Sequence, residues 1–337
     1  MRKQVSCRAV PSVASSFHPP LLLRGGHVAT IAAALRPRPA AAWTERERLE
    51  LEDGDFLDLA WRRQGSKRLA VLCHGLEGSL DAPYIRGMAE ALAHGGWDVL
   101  AWNCRNCGPE PNRLPRSYHS GESGDLRTVV NHGLAAGSRT AAAVVGFSLG
   151  GNIALKYAGE APPHPLVRAV VAISAPVDLA SCARALDGRL ANRFYRRRFL
   201  RTLTAKALAK ARRFPGSLDA RRIRRVRTIR EFDDCVTAPL HGFEDAVDYW
   251  TRASSLPLIS RIPVPSLLLS AANDPLLDAP CYPERLAADL PRFYLETPPW
   301  GGHVGFSGAT SRGGRWHERR VLDFLESMTA GPPVHQA

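Results

Sequence analysis

The chain has 337 residues and a formal charge of +13, but Arg193 to Arg230 hold fifteen Lys/Arg against Asp219 alone, a net of +14 that leaves −1 for the rest. That excludes an evenly basic chain of histone-like or ribosomal kind, and 45% hydrophobic with 23% charged residues excludes disorder over the whole length. Seven scattered cysteines, with one close pair at Cys104 and Cys107, fit a reducing compartment better than a disulfide framework; without a second pair or a histidine at ligand spacing, that pair reads as small buried apolar residues rather than a redox or zinc site.

Residues 1–45, rich in Pro, Ala and Arg, read as a loosely held N-terminal arm that wraps the body. Arg8 and Pro11 break any apolar run there before signal-peptide length, and no stretch approaches the roughly 20 apolar residues of a membrane span. The expectation is a cytoplasmic protein, at most peripheral to a membrane. A single domain follows over 46–330, then a tail at 331–337. Short apolar runs with the length and flanking Gly/Pro of buried strands occur at Leu69–Cys73, Trp97–Trp102, Ala141–Val145, Val167–Ile173, Ser266–Ser270 and Arg292–Leu295. Helical patterns lie at Ile85–His94, Leu126–Gly137, Gly150–Gly159 and Pro283–Leu290. Such alternation predicts an α/β fold, a mostly parallel sheet with helices on both faces. Between Ile173 and Ser266 the alternation stops for too long to be a plain crossover. Leu190, Phe194, Phe199, Leu203 and Ala207 recur there among basic residues, which predicts a cap of basic amphipathic helices over about 178–260, inserted between the sixth-strand region and the next strand.

Gly146-Phe-Ser-Leu-Gly150 joins a predicted strand to a predicted helix. In a G-x-S-x-G turn the serine is lifted clear of the sheet, small neighbours allow strand and helix to approach, and the helix N-terminus lends partial positive charge. Ser148 is therefore the candidate nucleophile. A serine at its free pKa needs a base and an orienting acid, in this architecture in the order Ser, acid, His. Asp274 falls just after the strand Leu267–Leu269, and His303 in a Gly-rich loop after the strand Phe293–Leu295. Asp278 and Glu296 compete as acids, and His74, His119, His241 and His317 as bases; Asp274 is favoured by its place at the strand end and His303 by following the final strand. The oxyanion donors expected are the backbone N–H of Leu149, after the nucleophile, and that of Leu76 in Cys73-His-Gly-Leu-Glu-Gly-Ser79.

These residues, with Leu23-Arg-Gly-Gly-His-Val-Ala-Thr-Ile31, Pro83-Tyr84, Phe232-Asp233, Gly242-Phe243, Asn273-Asp-Pro275 and Gly301-Gly-His-Val-Gly-Phe306, resemble the YheT-like branch of the alpha/beta hydrolases, also called the AB hydrolase 4 family, from about Pro19 to Phe306. The resemblance implies the alpha/beta-hydrolase fold, a triad on Ser148, Asp274 and His303, and serine hydrolase chemistry on carboxylic esters, short-chain carboxylesters or acylglycerol-type lipids. One departure stands out: the family's usual Asn-x-Arg-Gly-Cys is Asn103-Cys-Arg-Asn-Cys107 here, with Asn106 at a glycine position. Asn tolerates the left-handed conformation.

Three readings of function follow. The leading one is an esterase acting through an acyl-enzyme on a small-molecule ester or lipid, with no metal, organic cofactor or stable protein partner. The second is a silent hydrolase scaffold whose basic cap binds polyanions, since Phe194, Tyr195, Phe199 and Phe214 are interleaved with arginines; no nucleic-acid motif is present and a full Ser, Asp, His set counts against it. The third joins them: Arg193–Arg230 holds an esterase against an anionic membrane, as opposed to forming a solvated face.

Overall fold

The computed structural model describes residues 13–35, 43–308 and 314–329. Cys7, Arg8, Pro11 and the tail 331–337, on which some expectations rest, lie outside the described residues.

Six apolar runs become parallel strands: β3 (Arg68–Cys73), β4 (Asp98–Trp102), β5 (Ala141–Phe147), β6 (Val167–Ile173), β7 (Ser266–Leu269) and β8 (Phe293–Glu296). Two more, β1 (Glu45–Glu50) and β2 (Phe56–Arg62), were not anticipated; they join antiparallel beside β4 and give the order β1-β2-β4-β3-β5-β6-β7-β8. β1 reads Glu-Arg-Glu-Arg-Leu-Glu, and this charge on an edge strand discourages pairing with another chain.

All seven residues of β5 are buried, as a central strand covered on both faces requires. Alternate residues serve opposite layers. Leu69, Val71 and Cys73 pack in one core with Val129 of α3 (Ser123–Ala135) and Ile153 of α4 (Leu149–Glu160). Ala70 and Leu72 face the other, with Met88 of α2 (Pro83–His94) and Phe324 of a C-terminal helix (Trp316–Thr329) that the sequence reading did not assign.

The register aligns Cys73 with Gly146, Phe147 with Ile173, and Ile173 with Leu269. The loops after β3, β5, β7 and β8 thus open at one edge, the carboxyl ends, where ligands meet open α/β sheets.

The stretch read as a loosely held arm contains a ten-residue helix, α1 (Gly26–Leu35), and a buried Phe17 packed against Phe306 and Trp316. Tertiary packing onto the loop around His303 orders it, which composition does not reveal.

The cap consists of α5 (Leu179–Gly188), α6 (Arg193–Arg213), α7 (Ala220–Arg225), α8 (Ile229–Phe232), α9 (Ala238–His241) and α10 (Ala246–Ala253), between β6 and β7. A π turn, Asp233–Thr237, joins α8 to α9. The expected apolar stripe holds in part: Phe199, Leu203 and Ala207 turn inward, whereas Phe194 is 61% exposed and Leu190, just before the helix, 82%. The step from Phe194 to Phe199 is five residues, not the three or four that keep one helical face, and Tyr195 takes the inner position.

Candidate active site

Ser148 stands between the end of β5 and the start of α4 with φ 51 and ψ −123, a strained conformation for a residue with a side chain. Its neighbours explain the motif. A Cβ on Gly146 would lie 2.1 Å from the Gly150 carbonyl oxygen, and one on Gly150 would lie 2.4 Å from the Cys73 carbonyl oxygen. The strand, the turn and the loop after β3 can approach this closely only with hydrogen at both positions.

His303 Nε2 lies 2.8 Å from Ser148 Oγ, and His303 Nδ1 2.8 Å from Asp274 Oδ2. The other Asp274 oxygen accepts the Leu276 N–H at 2.9 Å, and the Asp274 side chain is fully buried. The structure therefore brings Ser148, Asp274 and His303 together from three loops. It directs the rival groups elsewhere. Asp278 caps a short turn through the Ala279 N–H and pairs with Arg189, and Glu296 pairs with Arg320. Buried His74 accepts the Cys104 N–H on Nε2 and meets the Gly75 carbonyl oxygen through Nδ1, so it braces the loop.

The loop carrying Leu76 is pinned by two tyrosines: the Tyr84 hydroxyl accepts the Gly75 N–H and the Tyr118 hydroxyl accepts the Glu77 N–H, both at 2.9 Å. Leu76 lies between these anchored amides, and both Leu76 and Leu149 line the same cavity as Ser148 and His303. The Leu149 amide belongs to the first turn of α4, where N–H groups have no intrahelical acceptor.

Several supports escaped the sequence reading. The His303 N–H donates to Thr30 Oγ1 (2.9 Å), the Val304 N–H to Ser174 Oγ (3.0 Å), and the Gly302 N–H to Asn273 Oδ1 (3.0 Å). Asn273 Nδ2 in turn donates to the Arg24 carbonyl at 2.7 Å, and a Cβ on Gly26 would lie 2.0 Å from the Asn273 carbonyl oxygen. The Leu23–Ile31 motif was visible, but no pattern in it says that it holds a loop near residue 303.

The family model described as alpha/beta hydrolase fold matches residues 70–309. The chain belongs to the alpha/beta hydrolases. Within them it is of the YheT-like branch: it is 38% identical over 89% of each chain to YheT of Escherichia coli, a predicted esterase. It is also 27% identical to a monoacylglycerol lipase of Saccharomyces cerevisiae, over 77% of this chain and 59% of the relative. A solved esterase of Pyrococcus furiosus shares the fold, with TM-score 0.57 at 20% identity over 87% of this chain and 98% of the other.

In this hydrolase a cavity of about 160 Å³ lies over Ser148, walled by Phe199, Leu203 and Ala207 of α6 and by Phe232, Val236 and Leu240 across from them. Its polar wall is mostly self-satisfied. Glu77 accepts from Tyr118 at 2.9 Å and pairs with Lys206 of α6 at 2.8 Å, and Lys210 Nζ donates to the Leu114 carbonyl. Buried Asp233 accepts from Thr237 Oγ1 at 2.7 Å and Trp250 Nε1 at 2.8 Å; burial pushes its carboxyl up to about 7 against those two bonds.

Among the described residues, His119, Glu122 and His241 bring possible metal-ligand atoms within 4.8 Å of one another. Glu122 is already held by Arg116 at 2.7 Å. Burial, then Arg116 and Lys156, push His119 down to about 3, and burial, His119 and Arg116 do the same to His241. With Glu122 occupied by Arg116 and His119 Nδ1 already accepting the Gly121 N–H, the group fits a pocket wall better than a metal site. Cys104 is buried in the core beside the half-buried Cys107, and Asn106 between them has φ 63, the left-handed turn that its usual glycine would adopt.

No helix among the described residues is long and apolar enough to cross a membrane.

Proposed function

We propose that this alpha/beta hydrolase cleaves carboxylic esters through a Ser148 acyl-enzyme. His303 Nε2 removes the Ser148 proton as Oγ attacks the ester carbonyl; Asp274 holds the imidazole tautomer by accepting from Nδ1–H and stabilises the imidazolium that forms. The N–H groups of Leu149 and Leu76 stabilise the oxyanion, each bond contributing about 3 kcal/mol to the transition state. His303 returns its proton to the leaving alcohol, then activates water to release the acid and restore Ser148. The observation that carries this reading is the pair of 2.8 Å contacts that His303 makes with Ser148 and Asp274.

The apolar cavity walls favour an uncharged acyl chain, and the relatives named as esterase and monoacylglycerol lipase suggest short carboxylesters and acylglycerols as substrate classes. A silent polyanion-binding scaffold has no use for a Ser–His–Asp set held at hydrogen-bond distance. The test is turnover of p-nitrophenyl esters of rising acyl length and of monoacylglycerols, with Ser148→Ala as control. Turnover by the native chain that the variant loses supports the proposal; equal turnover by both overturns it.

A further inference from the structure

Isolated exposed leucines are ordinary on a protein surface, but a cluster of them is not. Eight large apolar side chains stand exposed among the described residues, and seven of them sit on two segments that touch. Leu21 and Leu22, 75% and 88% exposed, precede α1; three more lie on α1; Leu190 and Phe194 mark the start of α6. The segments meet where His27 of α1 stacks on Tyr195, ring centroids 5.7 Å apart, and Tyr195 packs edge-on against Phe194 at 5.8 Å.

Beside this apolar patch runs a row of cations. Phe194, Arg197, Arg198 and Arg201 are all exposed at spacings that put them on one face of α6. Arg193, Arg196, Arg197 and Arg201 line, with Arg227, a cleft of about 280 Å³. Of the fifteen cationic residues from Arg193 to Arg230, Lys206 and Arg230 are the two with an ion-pair partner among the described residues. Of the cleft arginines, Arg196 and Arg227 donate to backbone carbonyls, and none of the five has a carboxylate in an ion pair among the described residues, so an anion entering the cleft is electrostatically favoured.

We propose that the α1–α6 face docks on an anionic phospholipid surface, with Leu21, Leu22, Leu190 and Phe194 entering the headgroup–acyl boundary while the arginine cleft takes lipid phosphates. Aliphatic tips beside unpaired arginines are what an interfacial segment requires. A nucleic acid fits less well: stacking along a strand needs several exposed rings, and of the four among these arginines Phe194 alone stands open, since Phe199 faces the cavity, Tyr195 is buried, and Lys210 and Arg213 lie over the Phe214 ring. Docking here would set the cavity beside the lipid, because α6 forms a cavity wall and Thr30 of α1 holds His303. The inference goes beyond ester hydrolysis, and its test reads binding alone.

The experiment is co-sedimentation of the full chain with vesicles of phosphatidylcholine, alone and with roughly one-third phosphatidylglycerol, between about 0.1 M and 0.5 M salt. The native chain should partition onto the anionic vesicles roughly tenfold more strongly, with part of that binding surviving high salt through the apolar tips. Leu22→Ser with Phe194→Ser should remove the salt-resistant part, and Arg197→Gln with Arg201→Gln the charge-dependent part. Both variants should keep the native thermal melt and soluble-ester turnover. Vesicle binding that ignores lipid charge or is unchanged in both variants overturns the proposal. So does a chain that forms a dimer dispersed by Leu22→Ser, or one that binds DNA more strongly than the vesicles.

Discussion

The hydroxyl oxygen of Thr30 accepts the backbone N–H of His303 at 2.9 Å, across 273 positions of sequence. The same hydroxyl donates to the Gly26 carbonyl at 2.7 Å, so its orientation is fixed by its own helix. An N-terminal helix thus sets the height of the imidazole over Ser148.

Removing that bond should loosen the base without touching substrate. Thr30→Val is expected to lower kcat about 10- to 100-fold, the size of effect that a small misplacement of a reacting group produces. KM should change little, and Thr30→Ser should restore most of the rate. Steady-state kinetics on one soluble ester separates this from a general loss of fold, which would lower the active fraction in both variants alike.

Asp233 gives a pH signature. Its carboxyl, pushed up by burial to about 7, stays protonated in the folded chain over a range where an unfolded Asp, near 3.8, is ionised. A raised acid costs stability as pH climbs from the unfolded value through the folded one, so this group should destabilise the fold between about pH 4 and 7, by up to about 4 kcal/mol. Asp233→Asn keeps an acceptor for Trp250 and offers a donor to Thr237. It should therefore flatten the fall in denaturation midpoint across that window; an unchanged slope would contradict the assignment.

Asn106 sits at φ 63 with its N–H on Asn112 Oδ1 at 2.6 Å and its Nδ2 3.2 Å from Ser117 Oγ. Asn106→Gly should leave the urea midpoint close to native, trading a side-chain bond for an easier backbone. Asn106→Val should cost about 1–2 kcal/mol or more, since a β-branched residue resists this conformation.

How much of this was legible in sequence depended on whether the cause was local. The six buried parallel strands showed because each is a short apolar run between turn residues, and Ser148, Asp274 and His303 showed because each follows a strand end. β1 did not, since Glu45–Glu50 alternates charge along an exposed edge and lacks the apolar signal. Nor did α1: a segment containing Gly25, Gly26 and three alanines in a row looks like linker, and its order comes from contact with Asn273 and His303 far along the chain. Near-helical spacing groups Phe194 with Phe199, Leu203 and Ala207, but the five-residue step to Phe199 overshoots a turn, and each residue along a helix turns the side chain by about 100°, so Phe194 faces out.

The central claim is that Ser148 carries the acyl group. The most direct measurement is intact-mass and peptide mapping after treatment with a fluorophosphonate: one adduct per chain, on the peptide containing Gly146–Gly151, and none in Ser148→Ala. An adduct on a different residue, or equal labelling of the Ser148→Ala chain, would contradict the account.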